Sequence, residues 1–297
     1  MHMNTTSTRD LIDFREPDAL GRKNLTRRSR SIPRKLLREG RLIFLPVYWL
    51  MMQSDLGREG IEHSGSYRFA DHIYRNKPSG RNWLGRWVDA LLLRMPASRA
   101  FRHRYLHAQT AMHNALKCHM ECFPDTPFRV LAVPSGVPRD IAELAVELRN
   151  EHPNWLERIH YTGVDLDPAV LALANDFLRD LGLGSIRLLP GDALDAAAYL
   201  EGPYDCAVST GLGEFLTNEE LLSFYRNVHT ALAANGTFYT SATRSEPRSE
   251  GLLTAFELDT HYRTAGELRR LLQALPWRRL ELTQDSTGLQ TFAIAEK

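Results

Sequence analysis

The sequence predicts an α/β fold in which helices cover both faces of a mostly parallel sheet, preceded by a mainly helical segment. From Phe128 onward, apolar runs of strand length alternate with helical patterns, and such alternation gives crossover connections and parallel strands. The last two strand-like runs, 279–286 and 289–297, are joined by a short turn at Thr287 and Gly288, so they must be antiparallel to each other. We therefore expect a doubly wound sheet with an antiparallel element at its edge.

Local signals predict the individual strands and helices. Pro138 and Pro168 stand at first-turn positions of helices, where the missing N–H costs nothing. Continuous apolar runs bounded by turn residues predict strands at 128–134, 160–167, 185–193, 203–211 and 236–242. Apolar residues at helical spacing predict helices at 139–150, 168–182, 218–236 and 266–275.

The two parts of the chain differ in charge. Residues 1–127 carry 22 Lys and Arg against 12 Asp and Glu, whereas residues 128–297 carry 15 against 24. We predict a basic leader at 1–35 with a composition typical of disorder, a mainly helical cap at 36–127 that covers part of the sheet's ligand edge, and the sheet domain at 128–297. The leader is either a solvated tail or a surface that attracts an anionic substrate, an acidic carrier protein or nucleic acid.

The most apolar run, LIFLPVYWLMM at 42–52, is too short to span a bilayer, which needs ~20 apolar residues, and Pro46 interrupts it. Its length and its proline favour a buried helix or lid over an element that lies on a membrane surface. The three cysteines, Cys118, Cys122 and Cys206, form no disulfide framework, which favours a reducing, cytoplasmic compartment.

Ligands of open parallel sheets bind beyond the carboxyl ends of the strands, where the strand order reverses. In this sequence the loops at that edge are 134–139, 165–167, 191–193 and 209–215. Asp165 follows a strand, where a carboxylate accepts hydrogen bonds from ribose hydroxyls, and Asp192 stands where it can accept one from an adenine amino group. Gly136 leaves room for the backbone to approach a ligand.

With these residues in place, the motifs VLAVPSG, YTGVDLDP, LLPGDALD and PYDCAVSTGLGEFL resemble those of the class I S-adenosylmethionine-dependent methyltransferases, over about residues 128–297. The resemblance implies a seven-stranded Rossmann-like sheet whose last strand is inserted antiparallel, and S-adenosylmethionine as cofactor. It implies that Asp165 binds the ribose, Asp192 lies near the adenine, Leu166 packs on the adenine ring and Gly136 lies beside the methionine part.

The first loop departs from the family pattern. Ala132 stands in place of an acidic residue, Pro134 and Pro138 replace glycines, and only Gly136 remains. A strict glycine pattern lets the backbone approach a pyrophosphate, which S-adenosylmethionine lacks. Arg139 could instead pair with the methionine carboxylate, and Ser135 could hydrogen-bond nearby. The expected cofactor-binding residues are Pro134, Ser135, Gly136, Arg139, Asp165, Leu166, Asp192, Ala193, Ser209 and Gly211.

The candidate catalytic residues are Glu214, His261, Tyr262 and Tyr74. Glu214 is either a general base or a first-turn residue without a role, and His261 and Tyr262 stand in a loop that would face the same pocket. Tyr74, with Tyr67 and His72, could enclose a sulfonium through cation–π contact or could only pack the cap.

Two other chemistries are not expected. His103, His107 and His113 lie in one helical pattern, but no neighbouring carboxylate or cysteine completes a metal site, so we expect none. Ser209 lacks the flanking glycines of a nucleophile elbow.

The leading hypothesis is a methyltransferase for a small, anionic, partly apolar molecule, because PSGVPRD and STGLGEFL resemble bacterial enzymes that act on fatty acids or related acids. The alternative is an S-adenosylmethionine cyclase of the same fold, which forms azetidine-2-carboxylate and methylthioadenosine without a second substrate. A third hypothesis is a cofactor-binding protein or a nucleic-acid-modifying enzyme. The sequence contains no recognisable RNA-binding module, so nucleic acid is not expected as a partner.

Overall fold

The computed structural model describes residues 32–62, 67–245 and 260–297. They fall into two compact units. The first unit holds the described residues as far as Arg102, and the second holds His103–Ser245 and Thr260–Lys297. The proposed boundaries of leader, cap and sheet domain stay predictions.

The first unit is helical. Residues 32–38 are helical, and they are followed by α1 (Phe44–Met51), α2 (Asp55–Glu62), α3 (Tyr67–Arg75), α4 (Trp83–Arg94) and the beginning of α5 (Pro96–Cys122). Two small apolar clusters stabilise it, one around Leu56, Ile73 and Leu93 and the other around Leu36 and Tyr48. None of the helices within the described ranges is long and apolar enough to cross a bilayer.

The burial predicted for the apolar run at 42–52 is wrong. The run forms α1 as a helix, but Tyr48 is its one fully buried residue. Ile43 is 79% exposed and Trp49 is 62% exposed. The side of α1 that faces away from its neighbours is as apolar as the side that packs, so apolarity alone did not indicate burial.

The second unit contains a seven-stranded sheet in the order β3-β2-β1-β4-β5-β7-β6. β1 to β5 are parallel, and β7 is inserted antiparallel between β5 and β6. This confirms the predicted fold class, including the inverted last strand. The strands are β1 (Phe128–Ala132), β2 (Ile159–Asp165), β3 (Ser185–Pro190), β4 (Tyr204–Ser209), β5 (Leu232–Thr243), β6 (Arg279–Gln284) and β7 (Gln290–Glu296).

Helices follow the strands as predicted. They are α6 (Arg139–Glu151), the short α7 (Pro153–Leu156), α8 (Pro168–Leu178), α9 (Asn218–Ala231) and α10 (Ala265–Gln273). Thr217 and Thr264 each begin their helix with a reciprocal capping box. The helix predicted to reach Gly236 ends at Ala231, because Leu232 is already extended and pairs with Tyr204 of β4.

Candidate active site

The reversal point of the sheet lies between β1 and β4. From β1 the chain proceeds outward through β2 and β3 on one side, whereas β4 and β5 continue on the other side. Adjacent loops then leave the sheet in opposite directions, which opens a crevice at the carboxyl edge. The loops after β1, β2, β3 and β4 therefore form the candidate site.

The loop after β1 is tied to both neighbouring strands. The amide of Val133 donates to the Val208 carbonyl at 3.0 Å and that of Ser135 to the Val164 carbonyl at 2.7 Å. The peptide bond between Val133 and Pro134 is cis. Gly163 of β2 permits the close approach, because a Cβ there would stand 2.5 Å from the Ser135 hydroxyl.

Gly136 turns the loop away from the sheet and leaves open space beside it. Its φ is 51°, in the left-handed region, and apart from Gly136 and its two chain neighbours no residue that the structure describes comes within 4 Å of the place where a Cβ would be. Ser135 is buried, and its Oγ lies 3.2 Å from the Tyr161 hydroxyl. A fixed wall and a vacant side at Gly136 are what a ligand needs at this point.

Asp165 joins three of the loops. Its carboxylate accepts hydrogen bonds from the Gly136 amide (Oδ2, 2.9 Å) and the Asp167 amide (Oδ1, 3.0 Å). Its carbonyl accepts one from the Gly191 amide at 3.0 Å. Each carboxylate oxygen carries two lone pairs and accepts one bond here, so both retain capacity for a further donor.

The residues next to Asp165 present an apolar surface and a second carboxylate. Leu166 is 72% exposed, an unusual position for a leucine at the end of a buried strand. The exposed Asp192 accepts from the Leu194 amide at 2.9 Å, while Ala193 is buried and its carbonyl accepts from the Tyr199 hydroxyl.

Arg139 does not lie at the surface of the loop. It is 2% exposed, its Nη1 stands 3.6 Å from Glu143 Oε1, and its guanidinium lies over the Phe177 ring. The neighbouring Asp140 is affected by the same enclosure, since burial raises the pKa of Asp140 and the charge of Glu143 raises it further. The pairing of Arg139 with a cofactor carboxylate stays a prediction.

Beyond β4, Glu214 belongs to a buried polar network. Arg104 Nη1 donates to its Oε1 at 2.8 Å, and the Thr243 hydroxyl donates to the same oxygen. Gln290 donates in turn to Thr243. The Arg104 guanidinium lies against Gly211, whose φ is 85° and where a Cβ would stand 3.3 Å from Nη2.

The remaining predicted residues are placed as follows. Ser209 is buried at the end of β4. His261 is exposed and its amide donates to the Glu214 carbonyl at 2.8 Å, so the segment with His261 and Tyr262 lies beside Glu214. Tyr74 belongs to the first unit, where it packs against the apolar cluster that contains Leu56.

Two histidines of the predicted helix have other contacts. His103 Nδ1 lies 3.0 Å from Asp285 Oδ2. The His107 ring stacks on both the Tyr239 ring and the Phe292 ring, and burial lowers the pKa of His107.

Sequence reasoning missed Arg104, Thr243 and Gln290 at the site. They stand on a helix and two strands far apart in the sequence, and none belongs to a motif. Asp140 was overlooked although it directly follows Arg139. A carboxylate in the first turn of a helix after a candidate loop was the available signal.

Comparisons agree with this geometry. The sequence profile of a family described as "Putative methyltransferase" matches residues 52–297. A solved structure of a possible exported protein from Bordetella parapertussis is 21% identical, with a TM-score of 0.73 over 92% of this chain and 95% of that one. The CurJ carbon methyltransferase is 14% identical, with a TM-score of 0.54 over 91% of this chain and 70% of that one. No curated protein sequence gives a significant match.

Proposed function

Because the chain belongs to this methyltransferase family, whose members use S-adenosylmethionine, we propose that it methylates the carboxylate of a small, partly apolar acid. The family membership supports methyl transfer in general. The acceptor and the residues assigned below are our proposal, and they rest on the contacts at the carboxyl edge of the sheet.

The observation that carries the proposal is the position of Asp165. The partly buried carboxylate of Asp165 fixes the loop after β1 and its own loop, and the backbone carbonyl of Asp165 fixes the loop after β3. The oxygens that hold these loops still have lone pairs for two ribose hydroxyls. The vacant side of Gly136 and the exposed Leu166 fit the remainder of the cofactor, because an adenine ring would cover the leucine.

We assign the other contacts along the same edge. Asp192 would accept from the adenine amino group next to Ala193, and Ser135 with Gly136 would line the methionine part. Asp140 is a partly buried carboxylate whose pKa is raised by burial and by the charge of Glu143, and the ammonium of the cofactor is a cation that would compensate its charge. Pro134, Ser209 and Gly211 complete the wall of the crevice.

The hydrogen bonds that Glu214 already accepts support a carboxylic acid as the acceptor of the methyl group. Its Oε1 already accepts hydrogen bonds from Arg104 and Thr243, so serving as a general base would require giving up part of a buried ion pair. Bound S-adenosylmethionine supplies an electrophilic methyl group, which a carboxylate can accept without losing a proton. The contribution of the chain is then to hold the acceptor in line with the methyl group.

An acceptor series tests this proposal. The purified protein would be incubated with S-adenosylmethionine and fatty acids of several chain lengths, or with primary amines and alcohols of the same lengths as matched controls. We expect S-adenosylhomocysteine and methyl esters from the acids alone, detected by mass spectrometry. Methylation restricted to amines or alcohols would refute the acid acceptor.

The same assay distinguishes cyclisation. The family match does not favour the cyclase alternative. Methylthioadenosine formed at enzymatic rates without any acceptor would overturn methyl transfer itself, whereas S-adenosylhomocysteine formed only with acceptors excludes cyclisation as the main reaction.

A further inference from the structure

Large exposed apolar side chains are concentrated on two neighbouring helices of the first unit. On α1, together with Ile43 just before it, the outward side carries Ile43, Val47, Trp49 and Leu50, and on α4 it carries Trp83, Trp87 and Leu91. We call these seven residues the apolar face. Trp83 is 80% exposed and Trp87 is 58% exposed. Single exposed apolar residues are ordinary, but a cluster of large ones marks an interaction site.

The spacing within α4 explains why these residues share a side. Trp83, Trp87 and Leu91 recur every four positions, so they lie one above another along the helix. The opposite side packs inward through Val88 and Leu93, which are both buried. The helix is therefore amphipathic with a large aromatic component on its solvent side.

The two helices are held together firmly. The Arg81 amide donates to the Gln53 carbonyl at 3.3 Å, and Asn82 donates to the Gln53 side chain. A Cβ at Gly85 would come 2.1 Å from the Gln53 carbonyl oxygen, so the beginning of α4 lies directly against the residues that follow α1. The apolar face is thus carried by a fixed pair of helices.

The two segments of the chain that include the apolar face are basic in sequence. The segments 32–52 and 80–95 contain seven Lys and Arg and two acidic residues. One of the two acids, Asp89, is fully buried and hydrogen-bonded to Ser54 and His72. Arg86 and Arg94 are exposed on the same side of α4 as the tryptophans.

We propose that the apolar face docks on the surface of a lipid bilayer rich in anionic phospholipid. Tryptophan is the side chain best suited to the boundary between headgroups and acyl chains, and arginine pairs with the phosphates there. The basic charge favours this occupant over a second copy of the same face, because a symmetric contact would bring the arginines of both copies together. The proposal is independent of the acceptor assigned above.

Vesicle binding tests the proposal, and the chain contains its own probe. Of its five tryptophans, Trp49, Trp83 and Trp87 lie on the apolar face, whereas Trp155 and Trp277 are partly buried in the second unit. The full chain would be mixed with two kinds of vesicle. One kind consists of phosphatidylcholine alone, and the other of phosphatidylcholine and phosphatidylglycerol in equal parts. We expect flotation with the anionic vesicles, accompanied by a blue shift of tryptophan fluorescence, and at least about tenfold weaker binding to the neutral ones.

Variants separate insertion from general electrostatic attraction. Replacing Trp83→Ala together with Trp87→Ala leaves the charge unchanged, and we expect a loss of roughly tenfold or more in vesicle binding because two side chains no longer enter the interface. The matched control, Leu200→Ala with Phe123→Ala, removes two exposed apolar side chains of the second unit and should bind like the wild type. Circular dichroism and thermal unfolding verify that each variant folds.

Charge is tested in the same way. Arg86→Glu with Arg94→Glu should weaken binding by about tenfold or more, whereas Arg226→Glu with Arg269→Glu changes the net charge equally and should have a much smaller effect. Equal binding by the wild type and the tryptophan variant, or binding without a blue shift, would overturn the proposal. The proposal would also be overturned if the wild type did not bind vesicles but formed a dimer, and the tryptophan variant were a monomer.

Discussion

At the scale of single residues, Asp165 combines two tasks that usually belong to different side chains. It positions the loop after β1 through the Gly136 amide and its own loop through the Asp167 amide. The same carboxylate is our candidate for the ribose. Organisation of the site and recognition of its ligand are therefore linked in one side chain, and the loops are in place before any ligand arrives.

Replacing Asp165→Ala should weaken binding of S-adenosylhomocysteine tenfold or more, because hydrogen bonds to a charged group are worth roughly 1.5–3 kcal/mol each. Isothermal calorimetry measures the effect. Asp195→Ala is the matched control, since Asp195 also accepts from the amide two residues ahead, at 2.9 Å, but has no assigned ligand contact. An unchanged dissociation constant in the Asp165 variant would remove the ribose assignment.

Residues such as Asp165, Asp192 and Gly136 could be predicted because each directly follows a strand, and the strand pattern gives their place at the sheet edge. The pairing of Arg104 with Glu214 could not be predicted. It depends on how α5 lies along the sheet, and no local pattern specifies which of the arginines of that helix turns inward. Likewise, the enclosure of Arg139 by Glu143 and Phe177 follows from packing that the sequence does not reveal.

At the scale of elements, Asp89 connects the helices of the first unit. From α4 it accepts hydrogen bonds from Ser54 (2.6 Å), the Leu56 amide (2.8 Å) and the Ser79 amide (3.1 Å), and it lies 2.8 Å from His72 Nε2 on α3. Burial alone would raise the pKa of Asp89, but the hydrogen bonds from His72, Ser54 and Leu56 outweigh it and lower the pKa. The ionised form is therefore favoured by folding.

A carboxyl whose pKa is lowered in the folded state contributes stability above its unfolded value, about 3.9, and loses that contribution as the pH falls through the folded value. Asp89→Asn should therefore be less stable than the wild type at neutral pH by roughly 1.5–3 kcal/mol, and the difference should shrink below about pH 4. Urea unfolding at a series of pH values measures it. Asp125→Asn, at an exposed position, is the control, and a difference for Asp89→Asn that is constant with pH would contradict the assignment.

The ends of helices and strands are determined by tertiary contacts that local sequence patterns do not contain. The helix predicted to continue to Gly236 stops at Ala231, because Leu232 already pairs with Tyr204 of β4. The alanine-rich sequence there is compatible with a helix, so the pairing with β4 determines where the helix ends. α1 is a comparable case. It was correctly predicted to be a helix, but because it is apolar on every side, its sequence does not show which side packs against the rest of the unit.

At the scale of the whole molecule, the sequence was most informative about the second unit. Its sheet follows from regular alternation of strands and helices, and the family profile covers it completely. In the first unit the helices were predictable, whereas their packing was not, since it depends on buried polar contacts such as those of Asp89. The basic leader at 1–35 lies almost wholly outside the described residues, and its role stays a prediction.

Deleting residues 1–30 should leave the affinity for S-adenosylhomocysteine within about twofold, because every assigned cofactor contact lies between Pro134 and Gly211. Calorimetry on the truncated and full chains measures it. If the leader recruits an acidic partner or substrate, turnover should fall on truncation, and the difference should shrink with salt, since the Debye length is about 10 Å at 0.1 M and ~3 Å at 1 M. A truncated chain that no longer binds the ligand would show that the leader is required for the fold.

The insertion of β7 between β5 and β6 has a consequence for synthesis on the ribosome. β6 is made before β7, yet among the strands that the structure describes it pairs with β7 alone. Until Gln290–Glu296 has emerged, the edge of β5 at 237–243 lacks the strand that pairs with it in the folded protein, although the other side of β5 can already pair with β4. The nascent chain must therefore carry an open sheet edge until its final strand is released, and it is in this interval that capture of β5 by another chain competes with correct folding.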